Sequence, residues 1–180
     1  MDAAQNQQVL FSFEDKKAIE ENWFPIHDRV MGGVSSGAIV GEGTCAVFAG
    51  EVSLENNGGF ASVRSKPHEW ELDGYKAIRL RVQGDGKVYK LCLKTDPRFD
   101  GIIYQHRFET KKDEWQTVEL LIQDFVPTFR GRQVRDARPL MANEIQTAGL
   151  MISDKQAGPF RLIIDWIAAV REPASKPETE

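Results

Sequence analysis

Residues 28 to 37, Asp28-Arg29-Val30-Met31-Gly32-Gly33-Val34-Ser35-Ser36-Gly37, gather an acid, an arginine, a glycine pair and two hydroxyls. A similar grouping recurs at 56 to 64, where Asn56, Asn57, Gly58, Gly59, Ser62 and Arg64 share one short run. Residues of these types suit recognition more than bond-making. Glycine pairs let the backbone come close to another group, and a nearby arginine offers a forked donor to a carboxylate or a carbonyl. Asp28, Arg29, Asn57 and Arg64 are therefore candidate binding residues. The plainer alternative is two tight turns in a β-protein, each fixed by its arginine.

Catalytic patterns fail on context. Gly33-Val34-Ser35-Ser36-Gly37 fits the G-x-S-x-G elbow of serine hydrolases, which needs a buried strand before it and a helix after it. Here the preceding stretch is charged, and Ala38 to Ala49 is β-like and interrupted by glycines. Gly41-Glu42-Gly43-Thr44-Cys45-Ala46 resembles a dinucleotide fingerprint, but strand alternation follows where a helix would have to hold the pyrophosphate. Glu14, Asp15 and Asp165 are candidate ligands for a structural calcium on the first and last strands. Calcium takes six or more oxygens, so helix capping by Asp15 and ion pairing by Asp165 are the preferred readings. His27, His68 and His106 are too scattered to nominate a metal site. No cofactor is expected.

Two basic surfaces remain. Arg130, Arg132, Arg135 and Arg138 surround a single acid, Asp136, in a stretch from 124 to 139 that shows no regular period. Such a loop suits a carboxylate, a phosphate or an acidic partner, or ties itself to the domain edge through its arginines. Arg79, Arg81, Lys90, Lys94, Gln105 and Arg107 lie on the polar sides of adjacent strand candidates. Alignment of those strands would make them the floor of a polar groove; otherwise they form an ordinary solvent face.

The elements that must position these residues are strands. Ile78, Leu80 and Val82 alternate with Arg79, Arg81 and Gln83, and Tyr89, Leu91 and Leu93 alternate with Lys90, Cys92 and Lys94. Gly84-Asp85-Gly86 between them reads as a hairpin. Further strands are expected at 9–13, 38–40, 45–50, 102–110, 115–122, 148–153 and 160–170, with the 102–110 and 115–122 segments paired. A helical turn at 16–22 and a short helix at 142–147 complete the elements. Many short strands without a repeating strand-helix unit predict an all-β jelly-roll sandwich. Its expected bounds are 9–171, preceded by a flexible lead-in at 1–8 and followed by a Pro- and Glu-rich disordered tail at 172–180.

At 180 residues the chain has one domain's length, and its net charge of −4 argues against wholesale nucleic-acid binding. Cys45 and Cys92 sit in apolar runs and read as buried free thiols, with a single disulfide left open. Met1 to Gln8 has neither a signal nor a transit character, and no apolar run reaches membrane-spanning length. A cytoplasmic protein, peripheral at a membrane where it meets its partners, is the expectation.

Longer strings carry a resemblance. DRVMGGVSSG at 28–37, FAGEVSLENNGGFASVRS at 48–65, YQHRFET at 104–110, DFVPTFRGR at 124–132 and GLMISDKQAGPFRLIIDWI at 149–167 together resemble the complex I intermediate-associated protein family. The resemblance implies a galactose-binding-like jelly roll similar to family 11 carbohydrate-binding modules. It also implies no catalytic activity, and a role in assembly of membrane electron-transport complexes, respiratory or photosynthetic. The chain differs from mitochondrial members in lacking a transit extension, and from chloroplast members in lacking a fused dehydrogenase-like domain, which implies a stand-alone bacterial member.

The function expected is therefore that of a non-enzymatic assembly factor or scaffold acting through protein partners, with a carbohydrate-binding module as the alternative. Sugar platforms need exposed aromatic rings. Of Trp23, Trp70, Trp115 and Trp166, only Trp70, between Glu69 and Glu71, has a context that predicts exposure. The partner surface is expected at Arg130, Arg132 and Arg135, or on the polar strand face around Arg81 and Arg107.

Overall fold

A computed structural model describes residues 6–27, with the side chain of His27 excepted, and 33–174. The described strands are β1 (Gln7–Phe11), β2 (Trp23–His27), β3 (Ser36–Glu42), β4 (Cys45–Val52), β5 (Ala61–Ser65), β6 (Ala77–Gln83), β7 (Val88–Lys94), β8 (Ile103–Glu109), β9 (Trp115–Leu121), β10 (Val126–Phe129), β11 (Arg132–Gln133), β12 (Thr147–Ile152) and β13 (Gly158–Val170). An α-helix, α1 (Lys16–Asn22), joins β1 to β2, and Asp15 caps it by accepting the Lys17 and Ala18 N–H groups. The short helix expected at 142–147 is a single 3-10 turn, Ala142–Glu144.

The strands form two antiparallel sheets packed as a jelly-roll sandwich. The six-stranded sheet runs β3-β4-β13-β6-β9, with β1 added beside β13; the seven-stranded sheet runs β11-β10-β8-β7-β12-β5-β2. The long strand β13 is the spine of the first. One side pairs with β6 over 163–170, and the other is shared by β4 over 158–164 and β1 over 167–170. An extra residue, Asp165, shifts the β13–β6 register between Ile164 and Trp166. That bulge is why the inward series Phe160, Leu162, Ile164 resumes at Ile167 and Ala169.

Between the sheets lie Phe48, Leu80, Tyr89, Leu91, Leu150 and Leu162, all fully buried. The alternating faces of β6 and β7 point inward as expected, yet the two strands do not form a hairpin. β6 pairs with β13 and β9, whereas β7 pairs with β8 and β12. Gly84-Asp85-Gly86 is instead a corner carrying the chain from one sheet to the other. Asp85 fixes it, its Oδ1 accepting the Tyr89 hydroxyl at 3.0 Å and its Oδ2 the Arg161 N–H at 2.9 Å. The segment 115–122 likewise leaves 102–110: β9 joins β6 in the first sheet, and β8 stays with β7 and β10 in the second.

The ends also differ from expectation. The sheet begins at Gln7, inside the stretch read as a lead-in, and Asn6 is bonded to Arg171 and Glu172. Glu172 to Pro173 is described as well, and the Ala174 N–H reaches Glu119 Oε1 at 2.9 Å. The segment 124–139 is not irregular throughout. β10 and β11 form a hairpin whose two-residue turn, Arg130-Gly131, has φ +48° and +78°, the signs of a type I′ turn.

Candidate functional site

The outer face of the seven-stranded sheet carries a groove of about 500 Å³. Strand register sets its floor. Ile26, Ser62, Met151 and Lys90 lie in one row across β2, β5, β12 and β7. Arg64, Gly149, Cys92 and Gln105 form the next row across β5, β12, β7 and β8. Every second residue of each strand faces this side, and of the polar set read from the alternation of β7 and β8, Lys90 and Gln105 line the groove whereas Lys94 and Arg107 do not.

Three connections wall the groove. Asn57 and Phe60 come from the second glycine stretch, Phe99 to Gly101 from the β7–β8 loop, and Arg130-Gly131 from the β10–β11 turn. Arg130 Nη2 donates to Asp100 Oδ2 at 2.8 Å, binding two of these walls together. Arg64 Nη1 donates to the Phe99 carbonyl at 2.9 Å, and its guanidinium lies 5.7 Å from the ring centre. Phe99 is otherwise 63% exposed. At the far side Lys90 Nζ donates to Ser153 Oγ and Asp154 Oδ1 at 2.8 and 2.9 Å, and Arg107 stands 3.8 Å from Asp154.

The electrostatics favour cations seeking partners. Burial lowers the affinity of both Arg64 and Lys94 for their protons, and the two charges face one another. The Arg130 hydrogen bond holds the Asp100 carboxyl below the usual carboxylate range. Cys92, under the floor, is pushed up to about 12 by burial, so it stays a thiol.

The groove thus unites Asn57, Arg64 and Arg130, with Arg107 at its rim through Asp154. It does not include the others. Arg81 lies on the opposite sheet, 5.2 Å from the Trp115 ring and 3.7 Å from Asp165, because β6 and β7 part company at the Asp85 corner. Arg79 is there too, paired with Glu119. Arg132 and Arg135 are exposed away from the groove lining, and Arg138 pairs with Glu144. The four arginines of 130–138 therefore form no single patch. Asp28 and Arg29 fall outside the described residues.

The calcium candidates are not assembled. Asp15 caps α1, Asp165 faces Arg81, and Glu14 is exposed; among the described residues no three His, Cys, Asp or Glu side chains group to hold a metal. Ser35 is buried, donating to the Ser53 carbonyl and accepting the Ser53 N–H, with strand β3 rather than a helix after it. Cys45 and Cys92 are free thiols on different sheets. Trp70 is half-buried, stacked on His68 at 4.9 Å, and the exposed indole is Trp115 on the six-stranded sheet.

Missed altogether were Lys94's burial and the wall Asp96 to Gly101. The string Asp96-Pro97-Arg98-Phe99-Asp100-Gly101 signals a turn. Its mixture of charge, an aromatic and glycine was the available hint that the turn also walls a groove.

Solved structures share this architecture. A family 11 carbohydrate-binding module of the Clostridium thermocellum cellulosomal cellulase Lic26A-Cel5E superposes with a TM-score of 0.69 at 14% identity, covering 96% of this chain and 98% of that one. The Clostridium thermocellum family 11 module in complex with a β-1,3-1,4-mixed-linked tetrasaccharide gives 0.68 at 15%, covering 92% and 95%. At these identities the likeness is one of fold. Among sequences, the mitochondrial complex I intermediate-associated protein 30 of Neurospora crassa is 26% identical over 147 residues, 72% of this chain and 53% of that protein. Its mouse namesake is also 26% identical, over 95% of this chain and 58% of the relative. An uncharacterised Schizosaccharomyces pombe protein is 28% identical over 84% of this chain and 78% of its own. The chain spans a little over half the length of the two named relatives. The family model described as complex I intermediate-associated protein 30 matches residues 11–164, and the chain belongs to that family.

Proposed function

We propose that the chain is a non-catalytic binding module that serves the assembly of a membrane electron-transport complex related to respiratory complex I, from a position peripheral to the membrane. The groove over the seven-stranded sheet holds an extended segment of a protein partner. The observation that carries this reading is the groove lining, which mixes Ile26, Phe60, Phe99 and Met151 with Arg64 and Lys90. Apolar pockets between placed charges suit alternating side chains of a peptide. A sugar platform calls for broad exposed rings, and no Trp or Tyr is among the described residues lining this groove. Family membership supports the assembly role, and the names of the relatives support complex I as the complex served.

The test is affinity capture from respiratory membranes, with retained subunits identified by mass spectrometry, for the wild type and a Ser62→Trp variant that fills the floor. Subunits of NADH:ubiquinone oxidoreductase should be retained by the first and lost by the second. Retention of mixed-linked β-glucan by the wild type, with no respiratory subunit, would overturn the proposal.

A further inference from the structure

Behind the wall of the groove lies a charge that no hydrogen bond satisfies. Lys94 ends β7 on the groove side of the sheet, and only 2% of its side chain is exposed. Its Nζ is the single buried side-chain nitrogen or oxygen without a hydrogen-bond partner among the described residues. The carboxylate of Asp96 stands 3.9 Å away, too far for a hydrogen bond. It is occupied elsewhere, Oδ1 accepting the Arg98 N–H at 2.9 Å and Oδ2 facing Arg98 Nη2 at 3.3 Å. An ammonium has three donors and no acceptor, and burying it unpaired is costly.

Arg64 is the second cation. It spends Nη1 on the Phe99 carbonyl and pairs with no carboxylate among the described residues. On the floor beside it, Gly149 has no side chain, and its neighbours in the row are Arg64 and Cys92. Between Lys94 and the groove stands Gly101, which lines the groove. A Cβ placed on it would lie only 3.4 Å from Lys94 Nζ. The flexible lysine stem can therefore turn toward the groove past a residue that puts no side chain in its way. Asp100, the nearest other acid of the wall, is already engaged with Arg130.

We infer that Lys94 and Arg64 form a carboxylate-binding subsite at this end of the groove, which takes an aspartate or glutamate side chain of the partner segment. Arg64 meets the carboxylate at the groove surface, and Lys94 completes the site from behind Gly101. The inference rests on the groove being the partner site. It deepens that reading by requiring an acidic residue in the segment bound.

The probe is N-acetylated, C-amidated pentaglutamate, with capped pentaglutamine as the neutral control and pentaglutamine with a free C-terminus as a third arm. Binding to the full chain at low salt is followed by NMR, reading the Lys94 side-chain resonances directly. Pentaglutamate should bind, Lys94 should hold its proton to higher pH in the complex, and Lys94→Met and Arg64→Gln should each weaken binding at least tenfold. Lys94→Met should melt no earlier than the wild type, since an apolar chain replaces a buried ammonium. If pentaglutamate fails to bind, binds Lys94→Met as well as wild type, or leaves the Lys94 resonances unmoved, the subsite does not exist. Preference for the free C-terminus over pentaglutamate would also overturn the side-chain assignment. The two proposals fail separately. Glutamate binding without capture of respiratory subunits removes the assembly role and keeps the subsite. Capture unaffected by Lys94→Met and Arg64→Gln removes the subsite and keeps the role.

Discussion

Arg64 Nη1 donates to the carbonyl of Phe99 at 2.9 Å, so a side chain from β5 holds up a wall that belongs to the β7–β8 connection. The two residues are neighbours only because β12 sits between β5 and β7 in the sheet. Removing the guanidinium should free the wall and leave the core intact. Arg64→Ala is expected to speed amide exchange at 99–101 while changing stability by about 1 kcal/mol or less, the usual worth of one hydrogen bond. Unchanged exchange there would mean that the wall supports itself.

Arg130 and Arg132 should separate. Arg130 holds a left-handed turn position, φ +48°, and an ion pair to Asp100 at 2.8 Å; Arg132 is exposed on a two-residue edge strand. Arg130→Ala keeps the left-handed backbone and loses the pair, which at such an exposed site adds only a small increment of stability. Arg132→Ala should fall within about 0.5 kcal/mol of the wild type. Urea melts of both variants check this, and an equal or larger loss for Arg132 would contradict it. Partner capture should weaken with Arg130→Ala alone.

Acid should open the groove before it unfolds the sandwich. Burial pushes Asp96 up, but hydrogen bonds from Arg98 and the Lys94 charge outweigh it, and Asp100 is held down first of all by Arg130. Both carboxyls therefore sit lower folded than unfolded. Their contribution is complete above the ordinary carboxylate value of about 4 and fades as pH falls through the lowered values. Exchange at 96–101 should accelerate below that point, while β7 and β12 stay protected. Simultaneous loss of protection in loop and strands would refute the idea.

The jelly roll was legible because burial on one face writes itself as alternation, and β6, β7 and β13 show it plainly. Which sheet a strand joins was not. Asp85's bonds to Tyr89 and Arg161 decide that the chain crosses over at Gly84-Gly86, and those partners lie far apart in sequence or are invisible to local turn chemistry. The same limit placed Arg81 beside Lys90 when it belongs with Trp115. The β10–β11 hairpin escaped notice because arginine is an unusual first residue for a type I′ turn, where Asn or Gly is the ordinary signal. Lys94 was readable as an outward lysine, but its burial depends on a loop laid over it.

Gly59 has φ +130°, a region that side chains rarely enter. Gly59→Val should cost about 1–3 kcal/mol, read as a lowered midpoint in thermal or urea unfolding. A melting temperature equal to the wild type would show that the 58–60 backbone relaxes without loss.

The thiols should be sluggish. Cys92 is buried and pushed up to about 12, and Cys45 is raised by burial and by the charge of Asp165. Neither provides much thiolate near neutral pH. With a disulfide reagent the native chain should react slowly, with Cys45 first because it is partly exposed. Rapid modification of Cys92 would require the floor of the groove to open.

The spine strand has a consequence for how the molecule is made. β4 and β6 flank β13 in the finished sheet and are not paired with each other. Each therefore leaves the ribosome with an open edge facing the place of a strand that is synthesised long afterwards. Until β13 arrives, β6 has only β9 and β4 only β3 for company, and unsatisfied edges of that kind invite pairing with other chains. The chain thus has a vulnerable interval of its own, and the last described strand ends it by closing the sheet from within.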